Sequence, residues 1–565
     1  MATLNQQALR PVRAFEKTFR LSTLSAALLA CSVLPVQAFQ FDTGSDDLKI
    51  RLDTNVKYTG AWRVKDQHDK QIADPTLDDG DRNFDKGSMI NNRVDLFSEF
   101  DVDYKGTGAR VSAAAWYDDI YNKKNDNDSP FTANSVSVDH DEFTDETRDL
   151  HGRDAEIRDA FVYSDFSLGG DRWGVARLGQ HSLLYGESLF FGNNGIAGGM
   201  QPINAIQALS VPNSQFKELA LPVEQFSTEL QLTPALSVGG YYQFEWERTR
   251  IPAAGSYFSP ADLLDGGGER IIVAAVPNVG PVASFYRADD IEARDSGQFG
   301  AQLRYRAEDI GTEFGLYAIR YHDKNFQVQV RPGAGVGPGT PADKIGEYML
   351  VFPEDIEAYG FSVNKGVGDA NVAFEASIRR NAPLVSLTVA DLSAVAPVPV
   401  ADNNDEALYA IGKTAHAQIN MIRVMPGNAL WDSAALLGEV AWNRTLSVDK
   451  NPQNLDPNST RDATAMRVVF TPTYFQVFDG VDLNVPMGFG YGIDGRSSAV
   501  GGFSQDKGGN YNIGLSFDFV KVVTVALSYN GFYGPSAPTS IGGIKTFEQT
   551  NSDRDFLSLN ASYTF

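Results

Sequence analysis

The chain has 565 residues, with 48 Lys+Arg against 72 Asp+Glu, a net charge of −24 and one cysteine. Such acidity excludes a nucleic-acid-binding surface, which needs a basic footprint. No apolar run beyond residue 38 reaches the roughly 20 residues of a membrane helix, so membrane embedding would require a closed barrel that satisfies every backbone group.

At the N-terminus Arg10, Arg13, Lys17 and Arg20 precede an apolar run from Leu21 to Val36, and Val36-Gln37-Ala38 follows. That basic, apolar, small-residue order predicts a secretory signal peptide over residues 1–38, cleaved after Ala38. Leu28-Leu29-Ala30-Cys31 offers a rival lipoprotein box, but the apolar run continues past it and Leu29 is bulky for that position. With Cys31 removed, the mature chain has no disulfide and no thiol chemistry.

From Leu48 to Val64 the even positions Leu48, Ile50, Leu52, Val56, Tyr58 and Trp62 are apolar, while Lys49, Arg51, Asp53, Asn55, Lys57 and Arg63 are polar. Val94, Leu96, Phe100, Val102 and Tyr104 alternate in the same way with Arg93, Asp95, Glu99, Asp101 and Asp103. A two-residue period is a strand with one oily and one wet face. Soluble antiparallel sheets share that period. A full-length face this dense in charge is what a large barrel enclosing water predicts.

Connections support the barrel, because long polar links such as 65–91 and 118–153 alternate with short ones such as 105–107 and 520–521. Strands are expected near 48–64, 92–104, 108–118, 154–166, 173–180, 223–232, 235–248, 297–306 and 312–322. The rest are expected near 355–364, 370–380, 412–424, 433–444, 462–471, 481–491, 510–519, 522–532 and 555–565. Strand 312–322 has the poorest pattern, since Phe314, Leu316, Tyr317 and Ile319 fall on both faces. The fold class is therefore all-β: a transmembrane antiparallel barrel over residues 39–565, of about 18 strands with 16 as the alternative. No folded plug precedes the first strand, which argues against a TonB-dependent receptor.

Most loops read as solvated. Asp118-Asp119, Asn125 to Asp128 and Asp139 to Glu142 are acidic but lack a regular Ca²⁺-loop spacing. The Gly- and Pro-rich links Ile251 to Pro281 and Pro332 to Pro341 are expected not to pack a core. One connection differs. Residues 181–222 carry Leu183, Leu184, Tyr185, Leu189, Phe190, Phe191, Ile196 and Met200, with Glu187, Lys217 and Glu218 as their only charges. So apolar a segment is costly to leave in water. It is expected to fold inward as a constriction or partial plug, with packing at the barrel rim as the alternative. The candidate constriction residues are Leu183, Leu184, Tyr185, Glu187, Phe190, Phe191, Ile196 and Met200.

The chain closes on Leu557, Leu559, Ala561, Tyr563 and Phe565 along one face, with Ser558, Asn560, Ser562 and Thr564 along the other. This resembles the terminal signal strand of outer-membrane barrels, which assigns Tyr563 and Phe565 as the assembly signal read by the barrel-assembly machinery. Nothing in the spacing assigns a catalytic, cofactor-binding or metal site. The histidines His68, His140, His151, His181, His322 and His416 are scattered, and there is no Gly-x-Ser-x-Gly. Only His181 near Ser182 and Glu187 forms a loose cluster. Glu245 and Glu247 read as lumen lining on one strand face.

Ile157 to Tyr163, Arg177-Leu178-Gly179-Gln180, Leu184 to Ser188, Pro202 to Ala205, Lys217-Glu218, Leu221 to Val223 and Gly240 to Trp246 together resemble an uncharacterised proteobacterial outer-membrane family. It is known as a domain of unknown function, number thirteen-oh-two. His181 and Tyr185 depart from the Arg and Trp common in that family. The resemblance implies a Gram-negative outer membrane with lipopolysaccharide around the barrel. It also implies an RND-type exporter and a second envelope protein as partners, and traffic in lipid-, steroid- or terpenoid-like molecules. The leading expectation is accordingly a channel or transporter for a small hydrophobic or amphipathic molecule, without cofactor or enzyme activity. The alternatives are a porin for polar solutes, or a surface enzyme or structural envelope protein anchored by the barrel.

Overall fold

A computed structural model describes residues 39–212 and 214–565. The expected signal peptide, Cys31 and the cleavage position after Ala38 lie outside the described residues. Eighteen antiparallel strands close on themselves. They are β1 (Leu48–Arg63), β2 (Met89–Tyr104), β3 (Thr107–Asp118), β4 (Arg153–Gly169), β5 (Arg172–His181) and β6 (Val223–Thr233). Next come β7 (Leu236–Gln243), β8 (Gln298–Ala307), β9 (Thr312–Tyr321), β10 (Ile356–Val367), β11 (Ala370–Pro383) and β12 (Ile411–Pro426). The circle ends with β13 (Ser433–Lys450), β14 (Asp462–Phe478), β15 (in two pieces, Val481–Asn484 and Met487–Asp494), β16 (Gly509–Phe519), β17 (Val523–Tyr533) and β18 (Phe556–Thr564).

Closure is made by β1 against β18, from Asn55↔Thr564 to Arg63↔Phe556. Phe565 exchanges two backbone hydrogen bonds with Thr54, at 2.7 and 2.9 Å. The short strand Phe39–Phe41 continues along the same edge of β1, pairing with Ile50 to Leu52. With both edges of the sheet paired, no open ladder faces the bilayer. The period-2 pattern sorts as expected: Leu96 and Phe100 are exposed on the outside, whereas Arg93 and Glu99 on the same strand are buried inside. Short turns join strands at one end. The two-residue turn Lys105-Gly106 has positive φ at both positions (55° and 81°), the geometry that follows the twist of a hairpin.

Strand β9 is regular along its length, despite being apolar on both faces. Its inner residues Tyr317, Ile319 and Tyr321 are covered by Ile196 and Met200, so the second oily face is a packing surface. Strand β7 is shorter than expected and ends at Gln243. Glu245 and Glu247 therefore lie in the loop beyond it and line no strand face. The turn is enforced by Trp246, which is buried against Phe352 at 4.9 Å.

At the other end the long loops build a cap of their own. Five strands form a second sheet in the order Val389–Ala390, Gln327–Pro332, Lys344–Val351, Gly280–Arg287 and Arg270–Val276. The expectation that Ile251 to Pro281 packs no core is wrong: Tyr257 and Phe258 are buried among Phe84, Tyr121 and Phe556. Turn-rich composition shaped the backbone there, but its few aromatics still found cover. Asp118 is likewise not a solvated loop acid. It is buried and accepts hydrogen bonds from Asn91 Nδ2 and from the backbone N–H groups of Asn92 and Ile120.

Candidate solute-binding region in the lumen

The segment between β5 and β6 enters the barrel and spreads its two halves on opposite walls. Its first half, residues 183–200, carries no ladder strand and coils through short 3₁₀ turns at Gly192–Asn194 and Ile196–Gly199. Tyr185, Ile196 and Met200 are buried against Tyr241, Tyr317, Ile319 and Ile356 of the wall, with Leu183 packed beside them. Backbone N–H groups that a coil leaves free must find acceptors. The wall supplies two carboxylates for them. Glu375 of β11 accepts from the N–H of Glu187 and of Ile196, both at 2.7 Å. Glu439 of β13 accepts from the N–H of Leu189, Phe190 and Phe191, at 3.2, 2.5 and 3.0 Å. Gly186 is required where it stands, since its φ is +96° and a Cβ there would lie 2.3 Å from a Glu375 oxygen.

The remaining candidate constriction residues are spread along this half. Glu187 accepts from Arg304 (3.1 Å) and from Asn364 (2.9 Å). Phe190 lies under the Arg467 guanidinium at 5.6 Å, and Phe191 packs on Phe503 at 5.5 Å. Leu184 alone among the eight is largely exposed.

The second half, residues 203–220, forms two short helices, α1 (Ala205–Ser210) and α2 (Phe216–Leu219). Asn204 caps α1 by accepting from the Gln207 N–H at 3.0 Å. Here the wall supplies cations. Lys57 of β1 pairs with Glu218 at 2.8 Å, with both side chains buried. Arg158 of β4 donates to the carbonyls of Glu218 (3.0 Å) and Ala220 (2.7 Å). Arg93 of β2 donates to Gln207 Oε1 at 3.1 Å.

Beside this half lies a hollow of about 440 Å³ bounded by β2 to β5. Arg110, Arg177 and Lys217 bring positive charge to it, Glu99, Asp159 and Asp165 negative charge, and Phe161 and Tyr163 ring faces. Arg110 is engaged by Glu99 and Asp101, and Lys217 stands 3.8 Å from Glu99. The Arg177 side chain, on a residue paired in the ladder between Tyr163 and Ser227, makes no ion pair or hydrogen bond among the described residues. A half-buried guanidinium without a protein partner can offer both its arms to a carboxylate or another planar anion.

The loose histidine cluster does not assemble. His181 Nδ1 faces the Gly179 carbonyl at 2.9 Å, so it carries the proton, and Nε2 accepts from Ser227 Oγ at 2.7 Å. Ser182 is bonded to Gln201, and Glu187 points to another wall. At the other end of the barrel, the rings of Tyr563 and Phe565 contact each other at 5.3 Å. Sequence reasoning missed Glu375, Glu439 and Arg177 as functional candidates. Each sits at an ordinary inward position of an alternating strand, and only Arg177 carried a further signal, as part of the Arg-Leu-Gly-Gln stretch.

A profile of the family described as "Protein of unknown function (DUF1302)" matches residues 20–565. No curated protein matches the chain. Among solved structures, the chain is similar to OccAB4 of Acinetobacter baumannii, with 10% identity over 91% of this chain and 98% of that one and a TM-score of 0.41. It is similar to OpdK of Pseudomonas aeruginosa in complex with vanillate, with 10% identity, coverage of 91% and 98%, and a TM-score of 0.38. The outer-membrane channel DcaP of A. baumannii shares 10% identity over 94% of this chain and 100% of that chain, with a TM-score of 0.36. The expectation of a lipid-, steroid- or terpenoid-like cargo is overturned. Of the similar chains, DcaP is described as an outer-membrane channel and OpdK was solved with vanillate. Within this chain, Tyr185, Ile196 and Met200, which suggested oily contacts for a solute, are turned to the wall and buried.

Proposed function

From the premise that the chain belongs to the DUF1302 family and is an outer-membrane β-barrel, we propose that it is a channel for small polar solutes. The inward segment narrows the passage. The observation that carries this reading is Arg177, an unpaired cation beside the hollow, while Tyr185, Ile196 and Met200 of the inward segment are buried against the wall. Opposite charges and two aromatic faces around it favour a small solute with an anionic group and a planar body. Glu187 and the Leu183 to Met200 stretch set the width of the path, through their attachment to Arg304, Asn364, Glu375 and Glu439.

Conductance of the purified barrel in planar bilayers tests the reading. Arg177→Gln is expected to lower the residence of small carboxylates in the channel several-fold while leaving assembly intact. Replacing residues 189–195 by a shorter Gly/Ser link is expected to raise single-channel conductance. A folded barrel that passes no ions with either form of the segment would overturn the channel reading. Tyr563 and Phe565 serve as the assembly signal in this proposal. Deleting Phe565 removes the pair with Thr54 and is expected to slow insertion, seen as loss of heat-modifiable gel mobility.

A further inference from the structure

Asp78 and Asp79, in the loop after β1, meet Asp262 from the loop after β7. One carboxylate oxygen from each lies within 4.8 Å of the others. All three residues are buried, with 1%, 2% and 0% of their surface exposed. One oxygen of Asp78, one of Asp262 and both of Asp79 are pinned. Asp78 Oδ2 accepts from Arg82 Nε at 2.5 Å, and Asp262 Oδ2 accepts from the Asp79 backbone N–H at 3.1 Å. Asp79 accepts from Asn127 Nδ2 and Asn134 Nδ2, both at 3.1 Å, and from the Thr132 hydroxyl.

The second oxygens of Asp78 and Asp262 are bare. Asp78 Oδ1 and Asp262 Oδ1 are fully buried and have no hydrogen-bond partner. Ser256 Oγ, in the turn that packs on Gly80, is also buried without a partner. Carboxylates taken out of water and left unpaired are among the costliest arrangements a fold can hold. Asp81, in the short helix Asp79–Arg82, shows the usual solution: equally buried, it is matched by Arg63 at 3.0 Å and Arg554 at 2.8 Å. Among the described residues the trio has only Arg82, which bonds Asp78 but neither Asp79 nor Asp262 and is shared with Asp128.

We propose that Asp78, Asp79 and Asp262 bind a divalent cation, Ca²⁺, which ties the loop after β1 to the loop after β7 across the barrel mouth. The donors are all oxygen, which selects a hard cation over zinc or copper. Three oxygens held at 2.3–2.6 Å from one Ca²⁺ stand no more than about 5.2 Å apart, which the trio satisfies. The bare oxygens then serve as ligands. Asn127, Thr132 and Asn134 hold Asp79 in place from the loop after β3.

The test uses the full barrel in nanodiscs, stripped with EDTA and titrated calorimetrically with CaCl₂, MgCl₂ or NaCl. One Ca²⁺ per barrel is expected, together with slower proteolysis within residues 64–88 and 244–268. Asp262→Asn and Asp78→Asn are expected to weaken Ca²⁺ binding at least tenfold. Asp141→Asn, in a half-buried acidic stretch where Asp141 pairs with Lys124, is expected to leave it unchanged. Uptake of Mg²⁺ but not Ca²⁺ would overturn the choice of ion. No divalent uptake by the wild-type barrel at millimolar concentration, or uptake undiminished in both variants, would overturn the site and leave a proton shared between the bare oxygens. The wild-type titration decides by itself if the variants fail to assemble.

Discussion

The two halves of the inward segment solve one problem with opposite chemistry. Residues 183–200 present backbone N–H groups and apolar side chains, and their wall answers with Glu375, Glu439 and a buried cluster. Residues 203–220 present a carboxylate, an amide oxygen and carbonyls, and their wall answers with Lys57, Arg93 and Arg158. Neither half joins the ladder. Each wall carries the complement of what the adjoining coil cannot satisfy for itself, so the lumen's charge is partly structural. Arg177, left over from that matching, is the group free to meet a solute.

The largest expected effect breaks the cationic side of this comparison. Lys57→Met leaves Glu218 buried without its partner and should loosen residues 203–220 by about 3–5 kcal/mol. Hydrogen exchange along α1 and α2 reads this directly, while residues 183–200 should keep their protection. Replacing Lys57 and Glu218 together by Met and Leu should restore most of the loss. If the double substitution is as loose as the single one, the pair does not anchor this half.

A pH titration should separate the halves next. Burial first, and then the charge of Arg93, push the His151 imidazole down to about 3. The ring is also an acceptor, with its Nε2 taking the Ala253 N–H at 3.1 Å. Because the folded value lies below the unfolded one near 6.5, the contribution is complete above pH 6.5 and is lost as pH falls toward 3. At pH 4.5 the loss is about 2–3 kcal/mol. His151 also holds Arg93 through its carbonyl, so residues 203–220 and 250–256 should exchange faster on acidification, and His151→Gln should flatten the difference. Equal acid sensitivity in wild type and variant would remove His151 from the account.

On the anionic side, Glu439→Gln turns an acceptor pair into one acceptor and one donor facing N–H groups. A cost of about 1–3 kcal/mol is expected, confined to residues 188–194. The smallest effect sharpens the packing contribution. Ile196→Val, opposite Gly360, should cost about 0.5–1.5 kcal/mol and raise channel noise more than mean conductance. A shift in exchange along residues 203–220 in either variant would mean that the two halves move as one.

Alternation such as Leu96-Asp95 or Leu557-Ser558 is local, and a strand's two faces are written into every second residue. For that reason all eighteen strands, the closing position of β18 and even β9, whose two faces are both apolar, were legible in sequence. The apolar character of residues 181–222 was legible too, and so was its unsuitability for a ladder. What the sequence left open was which way its side chains face. That depends on β7, β9 and β10 presenting Tyr241, Tyr317, Ile319 and Ile356 to one place in the lumen. Tertiary structure alone decided that Glu375 and Glu439 are anchors and that Glu245 and Glu247 leave the strand. It alone joined Asp78 and Asp79 to Asp262 and left Arg177 without a partner. The physical reason is range: period-2 burial is set by neighbours two residues away, whereas the pairing of a charge is set by whatever a distant strand or loop brings within about 4 Å.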